Sequence, residues 1–447
     1  MNSADTSRQE LALEIARKLR DHGYQAYFVG GCVRDRLLGF VPSDIDIGTD
    51  ARPDRILALF PDAQIVGAHF GVVLVSRNGA HVEVATFRSE GEYADGRRPD
   101  HVRFETDPKL DARRRDFTIN GLMQDPFSEE VLDYVDGCRD LERKIVRAIG
   151  DPNQRFREDH LRMLRAVRFA ARLNFSIDPA TMAAIQRHAA LISKISPERI
   201  RDELVRILTE GGARYGLELL DQSGLLIHIL PEVKAYQGVE QPPEFHPEGD
   251  VWQHVLLMLS AMKHPTPTLA LGVLFHDVGK PVTFHRAPDR IRFDNHAEVG
   301  AEITRQILSR LRFSKEDTER VSELVANHMR FKDVRRMRLS TLKRFLCLPH
   351  FEEHLELHRL DCLASNGFTD SYEYVKQKLD ELGHTELRPP RLITGKDLLQ
   401  EGFQPGPEIG QALEAVETAQ LEGEIRTREE ALQLARSLLD HAGANRT

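Results

Sequence analysis

Cysteine is scarce in this sequence: Cys32, Cys138, Cys347 and Cys362 are scattered through 447 residues, and no two form a C-x-x-C pair. A chain of this length can bury cores without disulfide staples, so the thiols are expected to be free and reduced. Long apolar runs are also missing. The longest, such as residues 269–275, fall far short of the roughly 20 residues that a membrane-spanning helix requires, and the polar N-terminus lacks a signal-peptide apolar core. The expected location is the cytoplasm, with no membrane partner. Internal repeats and low-complexity tracts are absent, which excludes repeat architectures.

The formal net charge is −9. Indiscriminate coating of nucleic acid needs a positive surface, so any RNA site must be a local basic patch. One such patch is present: between Arg139 and Arg172 stand ten Lys/Arg against five Asp/Glu. By itself that excess also suits a solvated helix face laced with ion pairs.

With 41% hydrophobic and 29% charged residues, the composition is that of an ordinary globular protein of several domains. Strand-like patterns gather in the first third, at residues 25–29, 44–47, 72–75 and 82–87. After about residue 140 the periodicity turns helical: Leu161, Leu164, Val167 and Ala171, then Leu204, Ile207 and Leu208, then Leu217 and Leu220. Proline and glycine mark connectors at 231–247 and 388–391. The resulting division is an α/β head over 1–145, a helical neck over 146–235, a second helical unit over 246–370 and a helical tail over 371–447.

The head carries two patterns with chemical content. A strand ending at Val29 runs into Gly30-Gly31-Cys32-Val33-Arg34-Asp35. Two glycines allow close approach of backbone to phosphate, and Arg34 adds positive charge, although strand–Gly-Gly–helix is often only a tight turn. Downstream stands Asp44-Ile45-Asp46-Ile47, whose alternation points both carboxylates one way and both isoleucines into the core. Neighbouring like charges are costly without a cation between them, and hard oxygen ligands suit Mg²⁺ on a nucleoside triphosphate. Either pattern alone is weak; together, about ten residues apart, they indicate metal-assisted phosphoryl transfer. Glu83, on an alternating strand, is a candidate third carboxylate. In Arg113-Arg114-Arg115-Asp116-Phe117-Thr118-Ile119-Asn120, a helix would set Asp116 and Asn120 on one face, able to hold a ribose while an arginine reaches phosphate.

The segment from Glu158 to Phe169 places Asp159, Arg162, Arg165 and Arg168 at spacings of three, expected on successive turns of one helix. Cytosine and adenine both present an amine donor beside a ring-nitrogen acceptor; uracil and guanine present the reverse. An accepting Asp159 with a donating Arg162 would take C and A and refuse U and G, because the wrong base leaves buried polar groups unpaired. The competing interpretation is an intrahelical ion pair.

Taken together, Val29-Gly30-Gly31-x-Val33-Arg34-Asp35, Asp44-x-Asp46, the Arg114–Asn120 run and Glu158-Asp159-x-x-Arg162-x-x-Arg165-x-x-Arg168-Phe169 resemble the class II tRNA nucleotidyltransferase and bacterial poly(A) polymerase family, over roughly residues 25–235. The resemblance implies an α+β fold with a DNA polymerase β-like head followed by all-helical neck, HD-type and tail domains. It implies Asp44 and Asp46 as ligands of Mg²⁺, and Gly30, Gly31, Arg34, Asp35, Arg114, Arg115, Asp116 and Asn120 around the phosphates and sugar. Asp159 and Arg162 would read the base, with Arg165 and Arg168 also on the nucleotide. The expected reaction is addition of CCA to the 3′ end of tRNA from CTP and ATP. Tyr93-x-Asp95-Gly96-Arg97-Arg98-Pro99 resembles the flexible loop of enzymes that add the terminal A, and Gly67-Ala68-His69-Phe70-Gly71-Val72-Val73 lacks the basic stretch of the poly(A) branch. Cys32 departs from the family's usual small Ala, Ser or Thr. Poly(A) or A-only addition remains the alternative.

A second constellation lies in the helical half: His254, His276-Asp277, His296, His328 and Asp361. The ordered pattern, with His276-Asp277 closing an apolar run, is similar to the HD phosphohydrolase superfamily. Such a nitrogen–oxygen donor set suits Mn, Ni, Fe or Mg. By that resemblance the domain would be a metal-dependent phosphatase or 2′,3′-cyclic phosphodiesterase, or a scaffold that no longer hydrolyses. The rival from another class is an HD phosphohydrolase whose head is a degenerate RNA-binding module.

Overall fold

The computed structural model describes residues 3–66, 71–91 and 101–444. The chain separates into two compact units: Met1–Gln237 with Lys263–Leu271 and Gln306–Lys315, and Gly238–Met262 with Gly272–Arg305 and Glu316–Thr447.

The first unit opens with helix α1 (Ser3–Asp21), whose Leu11, Ile15 and Leu19 recur at helical spacing and are buried. A mixed sheet follows. Its strands include β1 (Ala26–Val29), β2 (Asp46–Thr49), β3 (Gln64–Ile65), β4 (Val72–Arg77) and β5 (Ala80–Thr86), in the order β3-β4-β5-β2-β1, continued by Met123–Gln124 and Val131–Leu132. β2 runs antiparallel to β1 and parallel to β5, in a register that sets Asp46 opposite Glu83. Strict alternation in β5 buries Ala80, Val82, Val84 and Thr86 while exposing His81 and Glu83. Helices α1 and α3 (Pro53–Leu59) pack against these strands.

Helix α2 (Gly31–Leu37) leaves β1 through Gly30, and α4 (Pro108–Arg114) is capped by Asp107. After α5 (Gly137–Arg143) the chain is helical. Helices α6 (Pro152–Glu158), α7 (Arg162–Leu173), α8 (Pro179–His188), α9 (Pro197–Thr209) and α10 (Ala213–Gln222) form a packed layer in which α7 contacts both α9 and α10. Met163, Leu164, Ala166, Val167 and Ala170 bury one side of α7.

The structure departs from three local expectations. Asp116 and Asn120 do not share an α-helix: α4 stops at Arg114, Arg115 is extended, and only a 3₁₀ turn, Thr118–Asn120, follows. Asp159 does not belong to the helix of Arg162, Arg165 and Arg168: it caps the C-terminus of α6 with extended backbone (φ −141°, ψ 107°), and α7 begins at Arg162. Charged residues at spacing three carry helical periodicity across such a break, because i,i+3 spacing does not report a cap. Asp44 likewise precedes β2 rather than lying in it, although Ile45 and Ile47 are buried.

Candidate active site and metal cluster

Gly30 sits at φ +76°, and a Cβ there would lie 2.7 Å from Arg115 Nη1. Only glycine accommodates both the left-handed backbone and the guanidinium packed on it. Arg34, next along α2, is 2% exposed: its Nε donates to Asp35 Oδ1 (2.8 Å) and its Nη1 to Asn120 Oδ1 (2.6 Å). Burial lowers the Arg34 pKa, which the Asp35 carboxylate partly offsets. Asp35 also accepts from Arg172 (3.0 Å), tying α2 to α7.

Asp116 accepts from the backbone N–H of Phe117 (2.8 Å), Asn120 Nδ2 (3.1 Å) and Arg165 Nε (2.8 Å). Burial pushes this carboxyl up, but the Arg165 charge and these hydrogen bonds outweigh it and hold the pKa at about 2. The pair that was expected on one helix therefore meets through a direct hydrogen bond instead. Arg168 donates to Glu203 (2.7 Å) and Glu210 (3.2 Å). Phe169 has the guanidiniums of Arg34, Arg165 and Arg168 at 5.0, 5.3 and 4.3 Å from its ring centroid. A ring that carries three cations fixes their side chains without neutralising them.

Asp159 and Arg162 are each engaged elsewhere. Arg199 Nη2 donates to both oxygens of Asp159 (3.0 and 3.3 Å), and Arg162 Nη1 donates to Glu158 Oε2 (2.7 Å). The intrahelical Asp159–Arg162 pair is not formed, and both groups face the same cavity. That cavity, of about 530 Å³, is lined by Gly30, Gly31, Arg34, Asp35, Asp44, Asp46, Arg114, Arg115, Asp116, Asn120, Asp159, Arg162, Arg165 and Arg168, among others. Nine arginines against six carboxylates give it the positive surplus that a triphosphate requires. Glu83 does not line it, but it stands beside Asp46 in the sheet. Burial, and then the Glu83 charge, raise the Asp46 pKa to about 6.

Three residues lie outside the sequence expectation. Asp111, 2% exposed, accepts from Arg114 (2.8 Å) and Arg115 (3.1 Å) and aims both guanidiniums. Its spacing of three and four before those arginines was a readable signal. Arg199 and Arg172 come from distant turns and leave no local pattern. Residues 93–99, with the loop resemblance, and residues 67–70 lie outside the described residues.

In the second unit, His254, His276, Asp277, His296, His328 and Asp361 come together. His254 Nε2 stands 3.2 Å from Asp361 Oδ1, His276 Nε2 3.1 Å from Asp277 Oδ2, and His296 Nε2 3.3 Å from His328 Nε2. Gly279 permits this: a Cβ there would meet the carbonyl oxygen of His296 at 2.1 Å. Two residues join the set, His246 and Glu248, whose Oε1 takes His246 Nδ1 (2.9 Å) and His254 Nδ1 (2.7 Å). Burial lowers the His254 pKa, but hydrogen bonds to Asp361 and Glu248 outweigh it and raise it to about 9; burial beside His276 pushes His328 down to about 3. The Nε2 atoms of His254 and His276 are fully buried, and each faces a carboxylate oxygen. The candidate ligand atoms of His254, His276 and Asp277 lie within 4.8 Å of one another, a buried imidazole–carboxylate set that fits a cation.

Head sheet, phosphate turn, paired aspartates and arginine-lined cavity define a nucleotidyltransferase whose chain continues into helical domains. The match to known proteins is consistent along the chain: residues 26–147 match the "Poly A polymerase head domain", 174–237 the "Probable RNA and SrmB- binding site of polymerase A", and 296–435 the "tRNA nucleotidyltransferase domain 2 putative" model. The chain is 32% identical to the CCA-adding enzyme of Lactobacillus johnsonii over 430 residues, 94% of this chain and 95% of that one. To the CCA-adding enzyme of Levilactobacillus brevis it is 33% identical over 429 residues, 95% of this chain and 97% of that one. The crystal structure of the Bacillus stearothermophilus CCA-adding enzyme in complex with CTP superposes with a TM-score of 0.75 at 27% identity, covering 100% of this chain and 99% of that one. The chain belongs to the CCA-adding enzyme family. Its head keeps both aspartates, so the phosphohydrolase with a degenerate head is set aside. No helix among the described residues is long and apolar enough to cross a membrane.

Proposed function

We propose that this protein completes tRNA 3′ ends in the cytoplasm by adding C, C and A from CTP and ATP, without a nucleic acid template. The observation that carries the reading is the single cavity onto which Asp44, Asp46, Arg115, Asn120, Asp159 and Arg162 all open. Asp44 and Asp46 would hold Mg²⁺, which when bound neutralises charge on the triphosphate oxygens. The carboxyl pair fits that ion: hard oxygens, with Asp46 burdened by burial and by Glu83.

The remaining chemistry falls to this chain's own side chains. Arg34 and Arg115 bind phosphate oxygens beside Gly30, whose missing Cβ leaves the approach open. Asn120 and Asp116, locked together, hold the ribose. Asp159 accepts from the exocyclic amine of C or A and Arg162 donates to the adjacent ring nitrogen. Arg199 and Glu158 hold those two side chains in place before the nucleotide arrives. The RNA 3′ oxygen joins the α-phosphorus, and pyrophosphate leaves into the arginine-lined cavity. Sequencing the 3′ ends made on a tRNA lacking its terminus, with all four triphosphates present, tests the reading. CCA is the expected product; long A tails, a lone A or incorporated U and G would overturn it.

A second reading is favoured by the convergence of buried His254, His276 and Asp277, whose candidate ligand atoms lie within 4.8 Å of one another. An HD-type centre built on His254, His276, Asp277, His296, His328 and Asp361 would hold a transition metal such as Mn or Ni. Its reaction would be hydrolysis of phosphate from damaged RNA ends before extension. Release of phosphate from 3′-phosphorylated RNA, or opening of a 2′,3′-cyclic phosphate, measures it directly; neither activity after metal loading would refute it.

A further inference from the structure

The second unit carries a run of positive charge directly after His328. Between Met329 and Arg338 stand Arg330, Lys332, Arg335, Arg336 and Arg338 against a single acid, Asp333, in a chain whose net charge is −9. Lys332, Arg335, Arg336 and Arg338 are exposed. Like charges gathered on one short segment repel one another, a cost that a bound polyanion relieves.

The backbone under these side chains is a 3₁₀ helix of nine residues, His328–Arg336, an uncommon length for this helix type. Side chains at i and i+3 eclipse in it, so the helix presents straight edges. One edge, His328, Phe331 and Val334, is buried: Phe331 and Val334 enter the core formed with Leu342, Phe345 and Phe351, and His328 enters the histidine cluster. Packing of that edge fixes the others. Met329, Lys332 and Arg335 make a second edge that is exposed at each of its three positions, and Arg336 stands beside it. The Arg330 and Arg335 guanidiniums lie 4.5 Å and 5.5 Å from the ring centroids of Phe345 and Tyr374, and Arg335 Nη2 lies 3.9 Å from Asp370 Oδ1. Among the described residues Lys332 and Arg336 form no ion pair. One turn of this helix advances about 6 Å, a step comparable with that between successive phosphates of a single nucleic acid strand.

We infer that the exposed edge of this helix is a docking surface for the phosphate backbone of an RNA strand whose 3′ end reaches the histidine cluster. Lys332 and Arg336 take phosphates, and Met329, next to His328, gives apolar contact to a base near the end of the strand. The inference rests on the reading of the cluster as a phosphohydrolase centre given above. Charge complementarity and the direct continuation of the edge into His328 select an RNA end as the occupant.

The test uses the full chain with Lys332→Glu and Arg336→Glu together. Binding of a short fluorescent single-stranded RNA ending in a 3′-phosphate is followed by anisotropy over a range of salt. Affinity is expected to fall about 10-fold, and the slope of log affinity against log salt by about 1–2, at an unchanged melting temperature. Lys332→Gln with Arg336→Gln should move both in the same direction by less. With Mn²⁺ bound, the KM for phosphate release from that RNA should rise while kcat is kept, and the KM for tRNA in CMP addition should stay at the parental value. Equal affinity and slope in the Glu variant would overturn the docking surface. A KM for tRNA in CMP addition that rises by the same factor would assign the surface to the reaction of the head and overturn its link to the cluster. Loss of binding to anionic phospholipid vesicles with RNA binding intact would make it a membrane surface and overturn the inference as well. If the Mn²⁺-loaded parent releases no phosphate from the RNA, the phosphohydrolase reading fails and with it the destination of the strand, whereas the surface itself stands or falls on the anisotropy.

Discussion

Asp46 and Glu83 stand side by side on adjacent parallel strands, in direct register, with burial and the Glu83 charge raising Asp46 to about 6. An ordinary aspartate is ionised well below that, so in the metal-free fold the charged form of Asp46 is a cost at neutral pH. Asp46→Asn is expected to stabilise the metal-free protein by on the order of 1–2 kcal/mol at pH 7, since Asp46 is only partly buried and solvent screens it. The same variant should lose nucleotide addition by on the order of 10³-fold. Melting with and without Mg²⁺ checks the first part: a variant that melts below its parent without metal would contradict it.

The Asp116–Arg165 pair joins the head to the neck, and Asp116 is held at about 2 against an ordinary 3.8. Because the folded pKa is depressed, the pair's stabilisation is fully present above about pH 4 and is lost as pH falls toward 2. Its size is on the order of 2 kcal/mol. Asp116→Asn should therefore lower the urea midpoint of the first unfolding transition at pH 7. The gap from the parent should close between pH 4 and pH 2, and a gap that persists at pH 2 would show that the carboxylate charge is not its source.

Base choice is assigned to Asp159 and Arg162, with Arg199 holding the aspartate. Asp159→Ala removes the acceptor that distinguishes an amine from a carbonyl. Discrimination of CTP over UTP should fall by roughly 10–100-fold, seen as a ratio of kcat/KM values. Arg199→Ala should erode the same ratio less, because the acceptor remains but is no longer oriented. Unchanged discrimination in Asp159→Ala would move base selection elsewhere in the cavity.

Glu248 Oε1 stands 2.7 Å from His254 Nδ1 and orients that ring in the proposed metal site. Glu248→Gln keeps the shape and removes the charge, and should weaken Mn²⁺ binding by about 10–100-fold. Titration of the metal-free protein by calorimetry reads this; equal affinity would reduce Glu248 to a packing group.

Much of the head was legible because its chemistry is local. Gly30, Gly31 and Arg34 share one turn, and Asp44 and Asp46 are separated by a single core residue, so period and spacing reveal them. The helical break between Asp159 and Arg162 was hidden, since nothing in Glu158-Asp159-His160-Leu161 disfavours a continuous helix. The 3₁₀ turn at Thr118–Asn120 was hidden for the same reason. Partners supplied across the fold escaped entirely: Arg199 on Asp159 and Arg172 on Asp35 bring together residues tens of positions apart. His246 lies at the end of the connector read over 231–247 and Glu248 just beyond it, and contact with His254 gives them a role.

The central claim is that Asp44 and Asp46 organise nucleotide transfer in the head cavity. Its most direct measurement is the single-turnover rate of CMP addition to a tRNA lacking its 3′ end, for the parent and for Asp44→Ala. The account predicts a loss on the order of 10³-fold with CTP binding largely kept, because the arginines that hold the phosphates are untouched. Addition at the parental rate by Asp44→Ala would contradict it.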